Sequence, residues 1–162
     1  MGKNARKPIL TLDFDGVIHS YTSGWKGPRV IPDPPVSGAL EFLVEAVRHF
    51  EVNIYSSRSR YFLGRHCMKK WLRKHLREKM LSLETCNTPN ILFDWVTGTA
   101  FADPWEYEVD YAIRRLLRLI KFPTQKPPAH LQIDDRAITF TGIFPTVQEL
   151  KDFQPWYRQK GA

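Results

Sequence analysis

The chain has 162 residues, and its 43% hydrophobic and 25% charged residues are typical of a single globular domain, which excludes a disordered protein. Its two cysteines are too few for a disulfide framework, and it shows neither a secretory signal nor the ~18 apolar residues of a membrane helix, so we expect a cytoplasmic protein that binds no membrane. The 24 Lys and Arg against 17 Asp and Glu give a net charge of +7, which indicates either a polyanionic or phosphorylated ligand or a solvated cationic surface.

The first half of the chain is predicted to contain two strands and two helices. Ile9–Asp13 is a short apolar run that ends in carboxylates, and it predicts a buried parallel strand. Residues 19–35 are rich in Pro and Gly and predict an irregular segment, here called the flap loop. Helical spacing of apolar residues follows from Val36 to Val47, and Val52–Tyr55 predicts a second strand. Residues 61–81 predict an amphipathic helix whose opposite face is basic.

The second half continues the alternation of strands and helices. Ile91–Val96 predicts a third strand, and the sequence DPWE from Asp103 is typical of a helix start, because Asp caps a helix and Pro favours its first position. Leu131–Ile133 predicts a fourth strand. Ala137–Thr141 is a candidate for a fifth strand, and residues 146–153 are a candidate for a short final helix.

This alternation predicts an α/β fold, in which a parallel sheet carries helices on both faces. Ligands bind such sheets at the carboxyl ends of the strands. Polar side chains follow the first, second and fourth strands: Asp13 and Asp15, then Ser56, Ser57 and Arg58, then Asp134 and Asp135. Clustered carboxylates repel one another unless a cation lies among them, and their oxygens suit Mg²⁺. With Lys126 shortly before the fourth strand, the set predicts a Mg²⁺-dependent phosphate site.

The motifs resemble those of the haloacid dehalogenase (HAD) superfamily of phosphohydrolases, in the family's order. LTLDFDGVI is similar to the family's apolar strand followed by Asp-x-Asp, and VNIYSS to its strand that ends in Ser or Thr. Lys126 lies at a family-like distance before LQIDDR, which is similar to the acidic fourth motif. The resemblance implies a three-layer Rossmann-like fold over one domain, residues 1–162, with no cap or only the flap loop.

The resemblance also implies catalytic roles. Asp13 would be the nucleophile that forms an aspartyl-phosphate, and Asp15 would be the general acid and then the general base. Ser56 would bind a phosphoryl oxygen, and Lys126 would neutralise the phosphate and keep Asp13 ionised. Asp at the second motif position favours phosphatase over dehalogenase chemistry, because an alkoxide leaving group needs an acid.

Three of these assignments have alternatives. Ser57 could supply the second motif's hydroxyl instead of Ser56, and Lys121 could replace Lys126 although it belongs to the preceding helix. The resemblance further implies that Asp13, the Asp15 carbonyl and Asp135 ligate Mg²⁺. Asp134 stands where the family often has Gly, and it would contact the metal through water or contact Lys126, so the division between Asp134 and Asp135 stays open.

The predicted substrate follows from an open site and nearby cations. A capless site admits macromolecular ends or is closed by another subunit, which leaves an oligomer open. The helix after Ser56 is strongly basic. The flap loop adds the candidate substrate-binding residues Lys26 and Arg29, with Tyr21 and Trp25 nearby. Cations can bind a nucleic-acid backbone and aromatic rings can stack on its bases. Arg58 and Ser57 complete the candidate substrate-binding set. The SSR and IDDR motifs are also similar to the phosphatase half of polynucleotide kinase-phosphatase enzymes.

Three functions remain open from the sequence. The first is a Mg²⁺-dependent phosphatase of nucleic-acid ends, such as a 3′-phosphate, or of nucleotides. The second is a phosphatase of a small metabolite such as a sugar phosphate, and the third is a non-catalytic module that binds nucleic acid. The intact pair of Asp13 and Asp15 argues against the third function.

Overall fold

A computed structural model describes residues 6–84, 106–139 and 141–159 of the chain. The third predicted strand, Ile91–Val96, and the helix cap at Asp103 lie outside these residues. In chain order the strands and α-helices are β1 (Ile9–Leu12), α1 (Ala39–His49), β2 (Glu51–Ile54), α2 (Phe62–Glu84), α3 (Glu106–Leu119), β3 (Leu131–Ile133) and α4 (Val147–Asp152). Short 3-10 helices span Ser57–Arg60 and Trp156–Arg158.

The strands form a parallel sheet in the order β2-β1-β3, which confirms the predicted α/β class. Leu12 lies opposite both Ile54 and Ile133, so the three strands end at the same edge. Backbone hydrogen bonds continue one residue further, because the Asp13 amide donates to the Ile133 carbonyl at 2.9 Å and the Tyr55 amide donates to the Leu12 carbonyl at 3.0 Å. Residues that follow β1, β2 and β3 are therefore neighbours.

The hydrophobic core lies between the sheet and α1, α2 and α3. The last three residues of β1 and of β2 are buried, as expected for strands covered on both faces. Helix α1 buries an apolar stripe at helical spacing, and α2 and α3 do the same with Met68, Leu72, Leu76, Ala112, Ile113 and Leu116. Strand β3 differs, since all three of its residues are exposed.

The three long helices are packed together. Helix α3 packs against α1 and α2, and Lys79 of α2 pairs with Glu41 of α1 at 2.7 Å. After α3, Lys121 forms an isolated parallel β-bridge with Asn53 of β2. This bridge lies on the side of β2 that faces away from β1. The predicted three-layer arrangement, with helices on both faces of the sheet, stays a prediction.

Most predicted elements near the site are confirmed, and one is wrong. Strand β3 has the predicted bounds, and α4 begins after Thr146, whose hydroxyl accepts from the Glu149 amide at 3.2 Å. The candidate fifth strand at Ala137–Thr141 is not formed, since residues 137–139 and 141 are irregular. The chain turns after β3 instead, because the Arg136 amide donates to the Asp134 carboxylate at 2.9 Å. Among the described residues, no helix is long and apolar enough to cross a membrane.

Candidate active site

A carboxylate cluster lies at the carboxyl edge of the sheet. Asp13 directly follows β1, and Asp134 and Asp135 directly follow the neighbouring β3. One oxygen of each of these three residues lies within 4.8 Å of the others. The cluster brings together three of the four carboxylates that the sequence predicted for a metal site. The fourth, Asp15, directs its carboxylate to other partners.

Asp134 and Asp135 have different surroundings although they are adjacent. The Asp134 oxygens accept from the Gln132 amide nitrogen and the Arg136 backbone, both at 2.9 Å. The Asp135 side chain is only 1% exposed, and neither of its oxygens forms a hydrogen bond of normal geometry among the described residues, although the nearby Tyr157 hydroxyl opposes the rise that burial causes in the pKa of this carboxyl. Its nearest cation is Arg136, whose Nε lies 3.5 Å from Oδ2. A buried carboxylate with free lone pairs suits a cation, so Asp135 fits a direct ligand better than Asp134 does.

The glycine after Asp15 permits the close approach of the first motif to Asp135. Gly16 has a φ of +87°, which favours glycine, and a Cβ there would lie 2.6 Å from the Asp135 carboxylate and 2.9 Å from the Tyr157 ring. Any side chain at this position would push the turn that carries Asp135 away from β1. The Gly in the Asp-x-Asp-Gly motif is therefore required by packing at the cluster.

The electrostatics of Asp13 show uncompensated negative charge. Burial, together with the smaller effects of the neighbouring Asp134, Asp15 and Asp135, raises its pKa to about 7, although the hydrogen bond from the Phe14 amide lowers it. Burial also raises the pKa of Asp135. A divalent cation bound by oxygen ligands would remove this penalty, so the residues fit Mg²⁺ by charge and ligand type.

Mg²⁺ binding is expected to depend on Asp135 more than on Asp134. Asp135→Ala should raise the Mg²⁺ concentration needed for half-maximal thermal stabilisation by about a hundredfold, and Asp134→Ala by about tenfold, as for an outer-shell residue. For the wild type, affinity should rise from pH 5 to pH 8, because Asp13 and Asp135 have raised pKa values and must lose protons to bind metal. Melting curves over a Mg²⁺ series measure both effects, and the reverse order of the two variants would make Asp134 the direct ligand.

Asp15 is buried and forms an ion pair with Arg58. Arg58 is 0% exposed, and its Nε–H donates to both oxygens of Asp15, at 2.8 and 3.0 Å. His19 contacts the same carboxylate through Nδ1 at 2.9 Å. The sequence predicted Arg58 as an accessible substrate-binding residue, and the structure gives it a different set of partners. Its Nη2 is buried and has no hydrogen-bond partner among the described residues.

Arg58 also fixes the flap loop to the core. Its Nη1 donates to the carbonyls of Gly27 at 2.7 Å and Val30 at 3.0 Å, and its guanidinium lies 4.7 Å from the centre of the Trp25 ring. The predicted substrate-binding residues Lys26 and Arg29 are exposed on this loop. Arg58 thus connects the acid-base candidate Asp15 to the segment that carries these cations.

The two serines after β2 differ in exposure. Ser56 is buried and caps the 3-10 helix, since its hydroxyl accepts from the Arg58 amide at 3.4 Å and its amide donates to the Ser59 hydroxyl at 3.0 Å. Ser57 is exposed. Ser56 directly follows Tyr55, which is bonded to the end of β1, so it is the serine nearer to Asp13 along the sheet edge.

The two candidate lysines also lie in different places. The amine of Lys121 pairs with Glu51 at 2.8 Å, and Glu51 begins β2, at the opposite edge of the sheet from the carboxylates. Lys126 is exposed in the loop before β3, and no contact among the described residues joins it to the cluster. Lys121 is thereby disfavoured, and Lys126 keeps its assignment as a prediction.

Residues near position 156 complete one wall of the site, and the sequence analysis missed them. The Trp156 indole donates to the Gly16 carbonyl at 2.7 Å. The Tyr157 ring packs edge-on against Tyr21 at 5.8 Å, and its hydroxyl accepts from Arg136 at 3.0 Å. No sequence signal connects these residues to the first motif, because the contact spans 140 positions.

Comparisons of the chain with protein-family models, with curated proteins and with solved structures found no match. The geometry of the site and the motifs themselves therefore carry the functional argument.

Proposed function

We propose that the protein is a Mg²⁺-dependent phosphomonoester hydrolase of the HAD superfamily, which acts on nucleic-acid ends such as a 3′-phosphate or on nucleotides. The observation that carries the proposal is the carboxylate cluster, in which the buried Asp135 oxygens lie near Asp13 and form no hydrogen bond of normal geometry within the described part of the chain. Asp15, two residues after Asp13, supplies a second carboxylate in a separate environment. Two neighbouring carboxylates with different surroundings suit a nucleophile and an acid-base group.

The first chemical step would transfer the phosphoryl group to Asp13. A carboxylate oxygen of Asp13 forms a bond to phosphorus while the bond from phosphorus to the leaving oxygen breaks. Asp15, which is the carboxylate partner of Arg58 in the structure, would take up a proton before this step and give it to the leaving oxygen. The Arg58 guanidinium, which contacts both Asp15 oxygens, stabilises the carboxylate that remains.

The second step would release phosphate. A water molecule attacks the phosphorus of the aspartyl-phosphate and gives a proton to Asp15, and the bond between phosphorus and Asp13 breaks. Asp13, Asp135 and the Asp15 carbonyl would hold Mg²⁺, with Asp134 acting through water. Bound there, the ion offsets the negative charge of the phosphoryl oxygens. Ser56 and Lys126 would bind the remaining phosphoryl oxygens.

Exposed rings and cations around the site support a nucleic-acid substrate. Trp25 is 47% exposed on the flap loop, and Tyr61 and Phe62, at the start of α2, are 53% and 74% exposed. The loop and the helix meet, because a Cβ at Gly64 would lie 3.4 Å from the Pro28 carbonyl. Exposed rings near cations are the usual means of binding single strands without reading their sequence.

The basic face of α2, formed by Lys69, Lys70 and Arg73, extends this surface. All three side chains are exposed, and none forms an ion pair among the described residues. Lys69 lies 5.1 Å from the Phe122 ring, while Arg77, one turn further on, pairs with Asp110 of α3 at 3.6 Å. The basic face begins about 10 Å along the helix from its first residue, at 1.5 Å per residue.

Reversing the basic face is expected to weaken oligonucleotide binding. A triple variant with Glu at positions 69, 70 and 73 should bind a single-stranded oligonucleotide more weakly. The slope of the logarithm of affinity against the logarithm of salt concentration should become shallower by about 2, at about 0.7 per phosphate contact. Hydrolysis of a small aryl phosphate should be unchanged, because the carboxylate cluster is untouched. Fluorescence anisotropy over a salt series measures the slope. The matched control reverses the exposed Arg114, Arg115 and Arg118 of α3, and equal losses in both variants would make the α2 effect one of net charge alone.

The test of the proposed function is release of free phosphate from a panel of substrates. The panel contains a 3′-phosphorylated oligonucleotide, mononucleotides, sugar phosphates and an aryl phosphate, each with Mg²⁺ and with EDTA. We expect Mg²⁺-dependent release, fastest from the oligonucleotide or the nucleotides. Preference for a sugar phosphate would favour a metabolite phosphatase, and no release from any substrate would favour the non-catalytic module.

A further inference from the structure

His19 is a fully buried titratable residue that the two chemical steps above do not use. It lies four residues after Asp15, and its side chain is 0% exposed. Its Nδ1 lies 2.9 Å from an oxygen of Asp15, and its Nε2 lies 3.1 Å from the backbone nitrogen of Asp33. One ring thereby connects the acid-base candidate to the far end of the flap loop.

The Asp33 contact fixes which nitrogen of His19 carries the proton. A backbone N–H only donates, so Nε2 must accept from it with a lone pair. In the neutral ring the proton is then on Nδ1, which donates to Asp15. The Asp33 carboxylate is the more distant partner, since its Oδ2 lies 3.5 Å from Nε2 while the Asp33 backbone nitrogen lies at 3.1 Å, and its oxygens accept from the amide and hydroxyl of Ser23.

The position of the His19 ring is fixed from several sides. The Phe14 ring stacks on it at a centroid distance of 5.7 Å, and the Trp71 ring contacts it edge-on at 5.6 Å. Trp71 in turn donates to the Asp33 carbonyl at 3.2 Å. The backbone of His19 forms bridges to Asp15 and to Pro35, so the residue joins the first motif to the end of the flap loop.

We propose that His19 is a positioning residue, which orients Asp15 for proton transfer to the leaving group and couples that orientation to the flap loop through Asp33. The inference rests on the proposed function, because it assigns His19 a part in the same reaction. Arg58 contacts both oxygens of Asp15 through one Nε–H and therefore does not distinguish between them. The Nδ1–H of His19 donates to one oxygen only and thereby makes the two oxygens different.

Two amide substitutions separate the two contacts of His19. The side-chain nitrogen of Asn can occupy the place of Nδ1, so His19→Asn keeps a donor to Asp15 and loses the acceptor for Asp33. The amide of Gln reaches the place of Nε2, so His19→Gln keeps an acceptor for Asp33 and loses the donor to Asp15. If His19 positions Asp15, the Asn variant should retain activity that the Gln variant loses.

The experiment measures kcat and KM on two substrates that differ in their need for an acid. A 3′-phosphorylated oligonucleotide has an alkoxide leaving group, which needs a proton. Dinitrophenyl phosphate releases dinitrophenolate, which leaves without protonation. On the oligonucleotide, His19→Gln should lower kcat by about ten- to a hundredfold, part of what general acid catalysis contributes, with KM unchanged. His19→Asn should stay within about threefold of the wild type. On dinitrophenyl phosphate, the pre-steady-state burst of dinitrophenolate reports the first step alone, and in both variants its rate should match that of the wild type.

Controls distinguish this inference from fold damage and from failure of the proposed function. His75→Asn disturbs the same Trp71, whose ring lies 4.4 Å from His75, without touching Asp15, and it should leave both substrates unaffected. Ser23→Ala, at an exposed position, removes the hydroxyl that donates to the Asp33 carboxylate, and it should lower kcat severalfold on the oligonucleotide alone. This variant still tests the inference if the His19 variants unfold. Equal losses in the first step on both substrates, or equal activity of the Asn and Gln variants on the oligonucleotide, would overturn the role of His19. An inactive wild type would instead overturn the proposed function and the inference with it.

Discussion

Replacing Asp13 by Asn is expected to abolish phosphate release. Asn keeps the shape of the side chain, but its amide is a poor nucleophile and a weaker metal ligand, so the barrier should rise by several kcal/mol. Since each 1.4 kcal/mol is a factor of ten, the rate should fall by about a thousandfold or more. Initial rates on an aryl phosphate with saturating Mg²⁺ measure the loss. Wild-type rates in the purified variant would show that Asp13 is not the nucleophile.

The same substitution should stabilise the metal-free protein. Asp13 has a pKa of about 7 in the folded chain against 3.8 for the free side chain, so the folded state holds its proton more tightly than the unfolded state. The wild type should therefore lose stability as pH rises from about 4 to 7, by at most about 4 kcal/mol, and lose no more from this group above pH 7. Asn cannot ionise, so the Asn variant lacks this loss.

Urea unfolding in EDTA at pH 5 and pH 8 measures the contrast. The free energy of unfolding of Asp13→Asn should exceed that of the wild type at pH 8, with a smaller difference at pH 5. Asp152→Asn, at an exposed position on α4, should show no such dependence. A variant that is less stable than the wild type at pH 8 would contradict the buried, uncompensated charge at Asp13.

Replacing Arg58 by Met should cost both stability and activity. Asp15 would remain buried with only His19 as a partner, and the carbonyls of Gly27 and Val30 would lose their donor. Removing one partner of a buried ion pair usually costs about 3–5 kcal/mol. Activity should fall even on a small aryl phosphate, because both Asp15 and the flap loop would lose their position.

The matched control for this change is Arg60→Met, an exposed arginine of the same 3-10 helix, which should cost about 0.5 kcal/mol or less. Chemical denaturation gives the free energy of unfolding of each variant. Adding Asp15→Asn to Arg58→Met should cost less than the sum of the single changes, because the neutral amide no longer needs the guanidinium. Additive losses, or an Arg58 variant as stable as the Arg60 variant, would contradict the ion pair.

The sheet and its carboxylate cluster could be predicted because their signals are local. A short apolar run followed by Asp gives both the strand and the position of the carboxylate at its end, as in Leu12 and Asp13 or Ile133 and Asp134. Parallel pairing then brings the ends together without further information. The bridge at Lys121 was missed because a single paired residue leaves no alternating or apolar pattern.

The partners of Asp15 could not be predicted because they depend on tertiary packing. Arg58 begins a run of basic residues and has the same sequence surroundings as the exposed Arg60, yet one is fully buried and the other faces solvent. His19 lies in a segment rich in turn residues, and its burial requires Phe14 and Trp71 to enclose it. The composition of the chain and the spacing of its residues do not indicate that Arg58 and His19 are buried.

The hydrogen bond from Trp156 to the Gly16 carbonyl has a consequence for biosynthesis. The two residues are separated by 140 positions, so a ribosome that adds about 5–20 residues per second makes the first motif at least several seconds before its partner. During that interval the first motif of the nascent chain lacks its contact with Trp156. Contacts of such long sequence separation also slow folding. We therefore expect the newly made site to become competent only after residue 157 has left the ribosomal tunnel.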